Sequence, residues 1–407
     1  MKRRDILRSL TTVPFVGGII AGVVPPGVAI AASKAAKRDL FKELGLRTFI
    51  NAAGNYTSMT ASLMPEEVME AINSSAKEYV MLEEVQDKVG EKIAALCHAE
   101  AAFVTAGCWS ALVLGTAGVL TGMDLKKVAQ LPKLEGTGMK SEVIIQKSHI
   151  NGYDHALTNA GVTIITVETK EEVEAAINER TAMLWFLNRE APMGKIQHEE
   201  WISIAKKHNL PTMIDMAADV PPVENLWKYN DMGFDLVCIS GGKAMCGPQS
   251  AGILMGKKDL IAAARLSAPP AGGNIGRGMK VNKEEIIGMY VALESYINRD
   301  HQKEWRIWED RIAVIKNAID NVAGVTTEVI IPPVANHNPS LVISWDPNKI
   351  KITRDGMGEK LRKGNPSIET IAWETENSIR ITVFMLKTGQ EKIVATRIKE
   401  ELTMASA

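Results

Sequence analysis

The sequence is poor in the residues that tie a fold together covalently or hold a metal. Its 407 residues contain only four cysteines, Cys97, Cys108, Cys238 and Cys246, and seven histidines. The cysteines form no C-x-x-C pair and stand at no metal-ligand spacing from the histidines, so neither a disulfide framework nor a metal centre is expected, and the four read as small buried side chains. A net charge of −1 excludes a general electrostatic pull toward nucleic acid or an anionic membrane, though not a local basic patch. No internal repeat or low-complexity segment is present. A phosphate-binding P-loop is missing too. Around Gly241-Gly242-Lys243 that motif needs glycine at 237 and Ser or Thr at 244, where the chain has Val237 and Ala244.

What remains is an ordinary globular composition, 46% hydrophobic and 23% charged, on a chain long enough for a large domain and a smaller one. The N-terminal stretch differs. Arg3 and Arg4 precede a mildly apolar segment over 10–30, and Ala29-Ile30-Ala31 forms a small-residue cleavage pattern. This resembles a twin-arginine export signal, and it implies the twin-arginine export machinery as a partner and a periplasmic or otherwise exported protein. Gly17, Gly18, Gly22, Pro25, Pro26 and Gly27 interrupt the apolar segment, so no stable membrane span is expected, an uncleaved anchor being the alternative. That route carries proteins already folded, which suits an enzyme loaded with a cofactor beforehand.

The expected organisation is a signal over 1–31, an N-terminal arm over 32–64, a large domain over 65–300 and a small α+β domain over 301–407. Residues 44–62 are rich in Gly, Asn, Ser and Thr with little periodicity, and read as an arm lying over the fold. A helix begins at Pro65 and runs to about Tyr79. Short apolar runs at 101–105, 143–146, 162–167, 182–187, 212–216, 235–240 and 251–255 read as strands separated by helical or loop segments. The fold class is therefore α/β, with a mostly parallel sheet flanked by helices. Long helices are expected over 283–297 and 301–319. Strands near 328–331, 341–345, 367–372 and 379–384 and helices over 354–362 and 390–402 follow them.

Chemistry concentrates where strands end. The run Leu236-Val237-Cys238-Ile239 is continuous rather than alternating, which suits a strand covered on both faces. It stops at Ser240-Gly241-Gly242, whose lack of bulk lets the backbone approach a ligand, with Lys243 reaching in. A poorly solvated lysine near another cation becomes a neutral nucleophile able to form a Schiff base. A surface lysine in a Gly-rich hairpin is the plain alternative. Thr105, Gly107 and Cys108, between a strand and an apolar helix, form a candidate anion cup, or an ordinary strand-to-helix turn. Asp215 closes another apolar strand, where a lone acid needs a cation or strong donors, unless it caps a helix. His149 follows a third.

Six stretches carry a family resemblance: residues 50–57 (INAAGNYT), 84–96 (EVQDKVGEKIAAL), 99–112 (AEAAFVTAGCWSAL), 214–222 (IDMAADVPP), 240–254 (SGGKAMCGPQSAGIL) and 276–288 (GRGMKVNKEEIIG). Together they resemble fold-type I pyridoxal-phosphate enzymes of the group that includes selenocysteine synthase and D-glucosaminate-6-phosphate ammonia-lyase. The resemblance spans nearly the whole chain after the signal. It implies pyridoxal 5′-phosphate as cofactor, Lys243 as the Schiff-base lysine, Asp215 as partner of the pyridine nitrogen, Ser240 as a phosphate ligand beside Gly107 and Cys108, and His149 as the ring-stacking side chain. It also implies a homo-oligomer. In related enzymes a side chain three positions after the aspartate meets the cofactor's phenolic oxygen; here that position is Ala218, which cannot.

The expected reaction is a lyase-type elimination and deamination on an amino acid or amino-sugar acid, with Arg380 and Arg277 as candidates for the substrate carboxylate. A racemase or aldolase would use the same lysine, and a non-catalytic exported binding protein could keep the fold. A selenium transferase acting on charged tRNA is disfavoured, since that partner stays in the cytoplasm and the overall charge lacks a basic surface.

Overall fold

The computed structural model describes residues 38–371 and 374–406, so the expected export signal lies outside the described residues. The chain divides into two units, 1–47 and 48–407. The described part of the first holds one short helix, Leu40–Glu43, whose N-cap Asp39 accepts from the Lys42 amide.

In the second unit the strands are β1 (Ile50–Asn51), β2 (Ala101–Thr105), β3 (Glu142–Gln146), β4 (Thr163–Val167), β5 (Thr181–Leu187), β6 (Thr212–Asp215), β7 (Leu236–Ser240), β8 (Gly252–Gly256), β9 (Val325–Ile330), β10 (Ser340–Trp345), β11 (Ile368–Glu369) and β12 (Ser378–Thr382). Seven of them build the main sheet in the order β2-β8-β7-β6-β5-β3-β4. All its pairs are parallel except those of β8, which runs antiparallel to both β2 and β7. This is the fold-type I arrangement, a mostly parallel sheet with helices and a small antiparallel sheet beside it.

The apolar run that ends at Lys243 shows why the sheet lies between two layers. Leu236 and Cys238 enter the core shared with the helix Gly107–Thr121, while Val237 and Ile239 enter the core on the opposite face. Both faces are dry. The helix Gly107–Thr121 is buried nearly all round, and small residues let it sit close. A Cβ on Gly115 would meet Met213 Sδ at 2.9 Å, and one on Gly118 would meet the Ala264 backbone nitrogen at 2.6 Å.

The helix Lys283–Ile297 opens with a capping box between Asn282 and Glu285 and sends Ile286, Met289 and Leu293 into the large core. The next helix, His301–Ile319, sends Ile312, Ile315 and Ile319 into a separate core with the antiparallel sheet β12-β10-β9.

Three expectations need correction. The helix expected to reach Tyr79 spans Glu66–Ser75. Ser74 and Ser75 turn their hydroxyls back onto the carbonyls of Ala71 and Ile72, and Tyr79, Val80 and Met81 follow as exposed loop. The stretch over 44–62 is more than a covering arm, because Ile50 and Ala52 are buried in the small core. Their segment pairs with β11 in parallel, and the Ala52 carbonyl accepts from the Thr382 amide at 2.9 Å. Among the described residues of the strand expected over 367–372, β11 spans two, which pair with β1, and Ile371 forms an isolated bridge to Arg380.

Candidate active site

Asp215 ends β6, and the register sets it opposite Leu187 of β5 on one side and Cys238 of β7 on the other. Alternation along the strand turns its side chain toward the face occupied by the helix Gly107–Thr121. There the Cys108 thiol donates to Asp215 Oδ1 at 3.5 Å, and the Ala217 amide donates to the same oxygen at 2.9 Å. The carboxyl is 3% exposed. Burial raises its pKa above the usual carboxylate value, opposed by the Ala217 amide, the charge of Lys243, the Cys108 thiol and the more distant charge of Arg189. Burial wins, so Asp215 is a carboxylate short of positive company.

Lys243 is half-buried in the turn after β7. Its carbonyl accepts from Cys246 and the Gly241 carbonyl accepts from Gly247, each at 2.9 Å, while the Ser62 hydroxyl donates to the Gly242 carbonyl at 2.7 Å. The lysine's charge acts on Asp215, on Asp219 and on Cys108, so these four groups share one electrostatic environment. The flanking glycines have a different origin from the one expected. A Cβ on Gly241 would run into the Met289 sulfur and one on Gly242 into the Gln249 backbone. The chain's own packing takes up the space beside both glycines.

The candidate anion cup lies at the start of the helix Gly107–Thr121. The helix Gly107–Thr121 starts without a side-chain cap, Gly107 has φ +83°, and Thr105 is buried with its hydroxyl donating to the Gly107 carbonyl at 2.9 Å. The first helical N–H groups are therefore left for a ligand. Ser240 pairs with Gly252, and a Cβ on Gly252 would lie 2.5 Å from the Gly107 carbonyl carbon, so Ser240 ends β7 one strand away from the cup. The Cys108 thiol is held far above its usual pKa by its hydrogen bond to Cys238 and by burial, which keeps it neutral beside Asp215.

Two candidates do not join this group. His149 is fully buried, accepts from the Leu187 amide at 3.2 Å through Nδ1, and packs edge-on against Phe186 with ring centroids 4.5 Å apart. Phe186 belongs to the core on the other face of the sheet from Cys108 and Cys238, so this ring stacks inside the protein. Burial pushes it down to about 4, which leaves it neutral. Arg277 stays exposed in the loop after the helix Lys258–Leu266.

Arg380 does approach the group. It pairs with Glu374, its Nε is buried without a hydrogen-bond partner, and its charge acts on Tyr56 together with that of Arg189. Arg189 in turn acts on Asp215 and Asp219, linking the small sheet to the end of β6. The Asn336 amide donates to the Ala218 carbonyl at 2.9 Å across the same seam. Arg189, Asp219 and Tyr56 were not singled out from the sequence. Asp219 had a signal, lying four residues after Asp215 in the same apolar stretch, and Arg189 stands two residues past the end of β5. Trp109 and His155 also stand together near the helix N-terminus, both exposed, with ring centroids 6.2 Å apart.

Residues 148–286, which include Asp215, Ser240 and Lys243, match the family model described as aminotransferase class-V. Beyond the matched stretch the likeness extends further. The chain is 25% identical over 374 residues to D-glucosaminate-6-phosphate ammonia lyase of Salmonella typhimurium, covering 89% of this chain and 97% of that protein. It is 24% identical over 341 residues to 5′-C-glycyluridine monooxygenase-decarboxylase of a Streptomyces species, covering 81% and 83%. It is 28% identical over 280 residues to L-seryl-tRNA(Sec) selenium transferase of Desulfotalea psychrophila, covering 62% and 56%. A solved structure of D-glucosaminate-6-phosphate ammonia-lyase superposes with a TM-score of 0.77 at 24% identity, covering 91% of this chain and 99% of that one.

The cofactor is pyridoxal 5′-phosphate. The residues at hand fit it. An uncapped helix N-terminus can take the phosphate, Lys243 offers a primary amine, and a protonated ring nitrogen would supply the cation that buried Asp215 lacks. Among the described residues no cluster suited to a metal ion is present.

Proposed function

We propose that this protein is a pyridoxal-phosphate-dependent lyase that removes a β-substituent and ammonia from an amino acid or amino-sugar acid. The observation that carries the reading is the joint placement of Lys243 and Asp215 at the strand ends beside the uncapped helix N-terminus. The likeness to an ammonia lyase over nearly the full length of both chains supports the reaction class. The bound cofactor supplies an electron sink for the pair of electrons left when a bond to the substrate's Cα breaks.

The chain's own residues do the rest. Asp215 keeps the ring nitrogen protonated, so that the sink stays strong. Lys243, freed once substrate has taken its place, is the base that takes the Cα proton, and its neighbouring carboxyls and arginine set the field in which it does so. Arg380, with an unpaired buried Nε, takes the substrate carboxylate, exchanging Glu374 for it. Arg380→Ala is expected to raise KM by about 10- to 100-fold with a smaller change in kcat, the pattern of lost ground-state binding. Steady-state kinetics on the best substrate checks this.

The reading is tested by incubating purified holoenzyme with D- and L-amino acids and amino-sugar acids while following oxo acid, ammonia and the visible spectrum. Oxo acid with stoichiometric ammonia is the expected result. Inverted substrate would mark a racemase, an aldehyde product an aldolase, and bound cofactor with no spectral change on any amine a non-catalytic binding protein. Export through the twin-arginine machinery is a separate proposal resting on Arg3 and Arg4. Replacing both with lysine is expected to leave the protein in the cytoplasm, read by fractionation; unchanged export would contradict it.

A further inference from the structure

The segment 50–62 does more than bury Ile50 and Ala52 in the small core, because its two ends are bonded to different parts of the site. At one end the Ala52 carbonyl accepts from the amide of Thr382, two residues along β12 from Arg380, at 2.9 Å. At the other the Ser62 hydroxyl donates at 2.7 Å to the carbonyl of Gly242, the residue before Lys243. Between them Gln249 Nε2 donates to the Thr57 carbonyl at 3.1 Å. One short strap thus joins the strand of Arg380 to the turn of Lys243.

The strap is stiff. Asn51 Oδ1 accepts from the Ala53 and Gly54 amides at 3.0 and 2.9 Å, and its Nδ2 donates to the Gly54 carbonyl at 2.8 Å, which closes a first turn. The Tyr56 carbonyl accepts from the Met59 and Ala61 amides at 2.9 and 3.0 Å, which closes a second. Immediately before Ser62 the backbone is strained. Thr60 has φ +62° and Ala61 φ +57°, in the left-handed region that residues with a Cβ rarely adopt. Two such residues in succession persist only where their surroundings over-determine them, and the Ser62 bond to Gly242 is part of those surroundings.

The lysine turn needs a hold from outside. Three main-chain bonds close it, Gly241 to the Ala251 carbonyl, Gly247 to the Gly241 carbonyl and Cys246 to the Lys243 carbonyl, each at 2.9 Å. None of these three engages the Gly242 carbonyl, and Gly241 and Gly242 have no side chains with which to fix the peptide that leads into Lys243. Ser62 fixes it from 180 positions away in the sequence.

We propose that Ser62 is a positioning residue for Lys243. By holding the Gly242 carbonyl it sets the direction in which the lysine side chain leaves the main chain. It does so from the strap that is also bonded to the strand of Arg380, so the amine and the guanidinium that a substrate must bridge share one frame. This rests on the reading of Lys243 as cofactor lysine and base. A base misplaced by about 1 Å costs about 100-fold in rate.

The test compares wild-type, Ser62→Ala and Ser62→Thr holoenzymes on D- and L-serine and 2-amino-2-deoxy-D-gluconate, with kcat counted per bound cofactor so that unfolded protein does not enter. Ser62→Ala is expected to lower kcat by about 10- to 100-fold with KM within about 3-fold of wild type. Ser62→Thr keeps the hydroxyl and should hold both constants within about 3-fold of wild type. Without substrate, the visible circular dichroism of the bound cofactor, which follows the orientation that Lys243 gives it, should weaken in Ser62→Ala at equal absorbance and be kept in Ser62→Thr. Unchanged kcat per cofactor in Ser62→Ala, a threonine variant as slow as the alanine one, or unaltered dichroism overturns the proposal. A wild-type holoenzyme that turns over none of the probes contradicts the lyase reading alone, and the dichroism comparison then decides the role of Ser62 by itself.

Discussion

Replacing Lys243 with alanine is expected to abolish turnover, by about 10⁴-fold or more, and to remove the covalent attachment of the cofactor. The size of the effect follows from what else stands near. The other cations that act on Asp215 and Tyr56 are the guanidiniums of Arg189 and Arg380, which do not deprotonate and so serve neither as nucleophile nor as base. Lys243 is the amine whose charge acts on Asp215 and Asp219. Folding should survive, because Lys243 is half-buried and the turn around it is held by main-chain bonds such as Cys246 to the Lys243 carbonyl, which alanine keeps. Turnover and visible absorbance of the variant, with circular dichroism as the folding control, check the expectation. Partial rescue by added methylamine would place the defect in the missing amine.

Asp215→Ala is expected to cost about 10²- to 10⁴-fold in kcat and to weaken cofactor binding, since removing one partner of a buried charge pair costs about 3–5 kcal/mol. The carboxyl is enclosed, and burial outweighs the Ala217 amide and the Lys243 charge in setting its pKa. A cation placed directly against it is what the site lacks until the ring is bound. Asp215→Asn separates charge from shape. It keeps an acceptor for the Ala217 amide at 2.9 Å but loses the charge, so it should bind cofactor better than the alanine variant and still turn over slowly. Equilibrium cofactor titration alongside kcat measures both quantities. Equal kcat in Asp215→Asn and wild type would contradict the pairing.

Much of this site was legible in the chain because its parts lie at strand ends, and strand ends announce themselves. The run 236–239 stops at small residues, and the polar groups that follow have nowhere to go but the carboxyl edge of the sheet. Asp215 was readable for the same reason, an acid closing an apolar strand. His149 fits the same description and yet packs inward on Phe186. Whether a side chain after a strand faces the ligand or the core depends on which face the last residues present, and a three-residue turn after β3 rotates it away.

Arg189, in the turn after β5, and Arg380, on β12, both act on Tyr56, a convergence over long sequence separation that no local pattern encodes. Asp219 was hidden by its neighbour. One acid near a strand end has a ready explanation, and the second becomes visible only when its exposure is known. The same holds for Gly241 and Gly242, which fit a ligand-binding turn and prove to be small because Met289 and Gln249 lie against them.

The most direct measurement is to reduce the purified holoenzyme with borohydride, digest it, and locate the phosphopyridoxyl group by mass spectrometry. Attachment to the amine of Lys243 is the expected result. Attachment at another lysine, or a purified yellow protein in which residue 243 carries no added mass, would contradict the account at its centre.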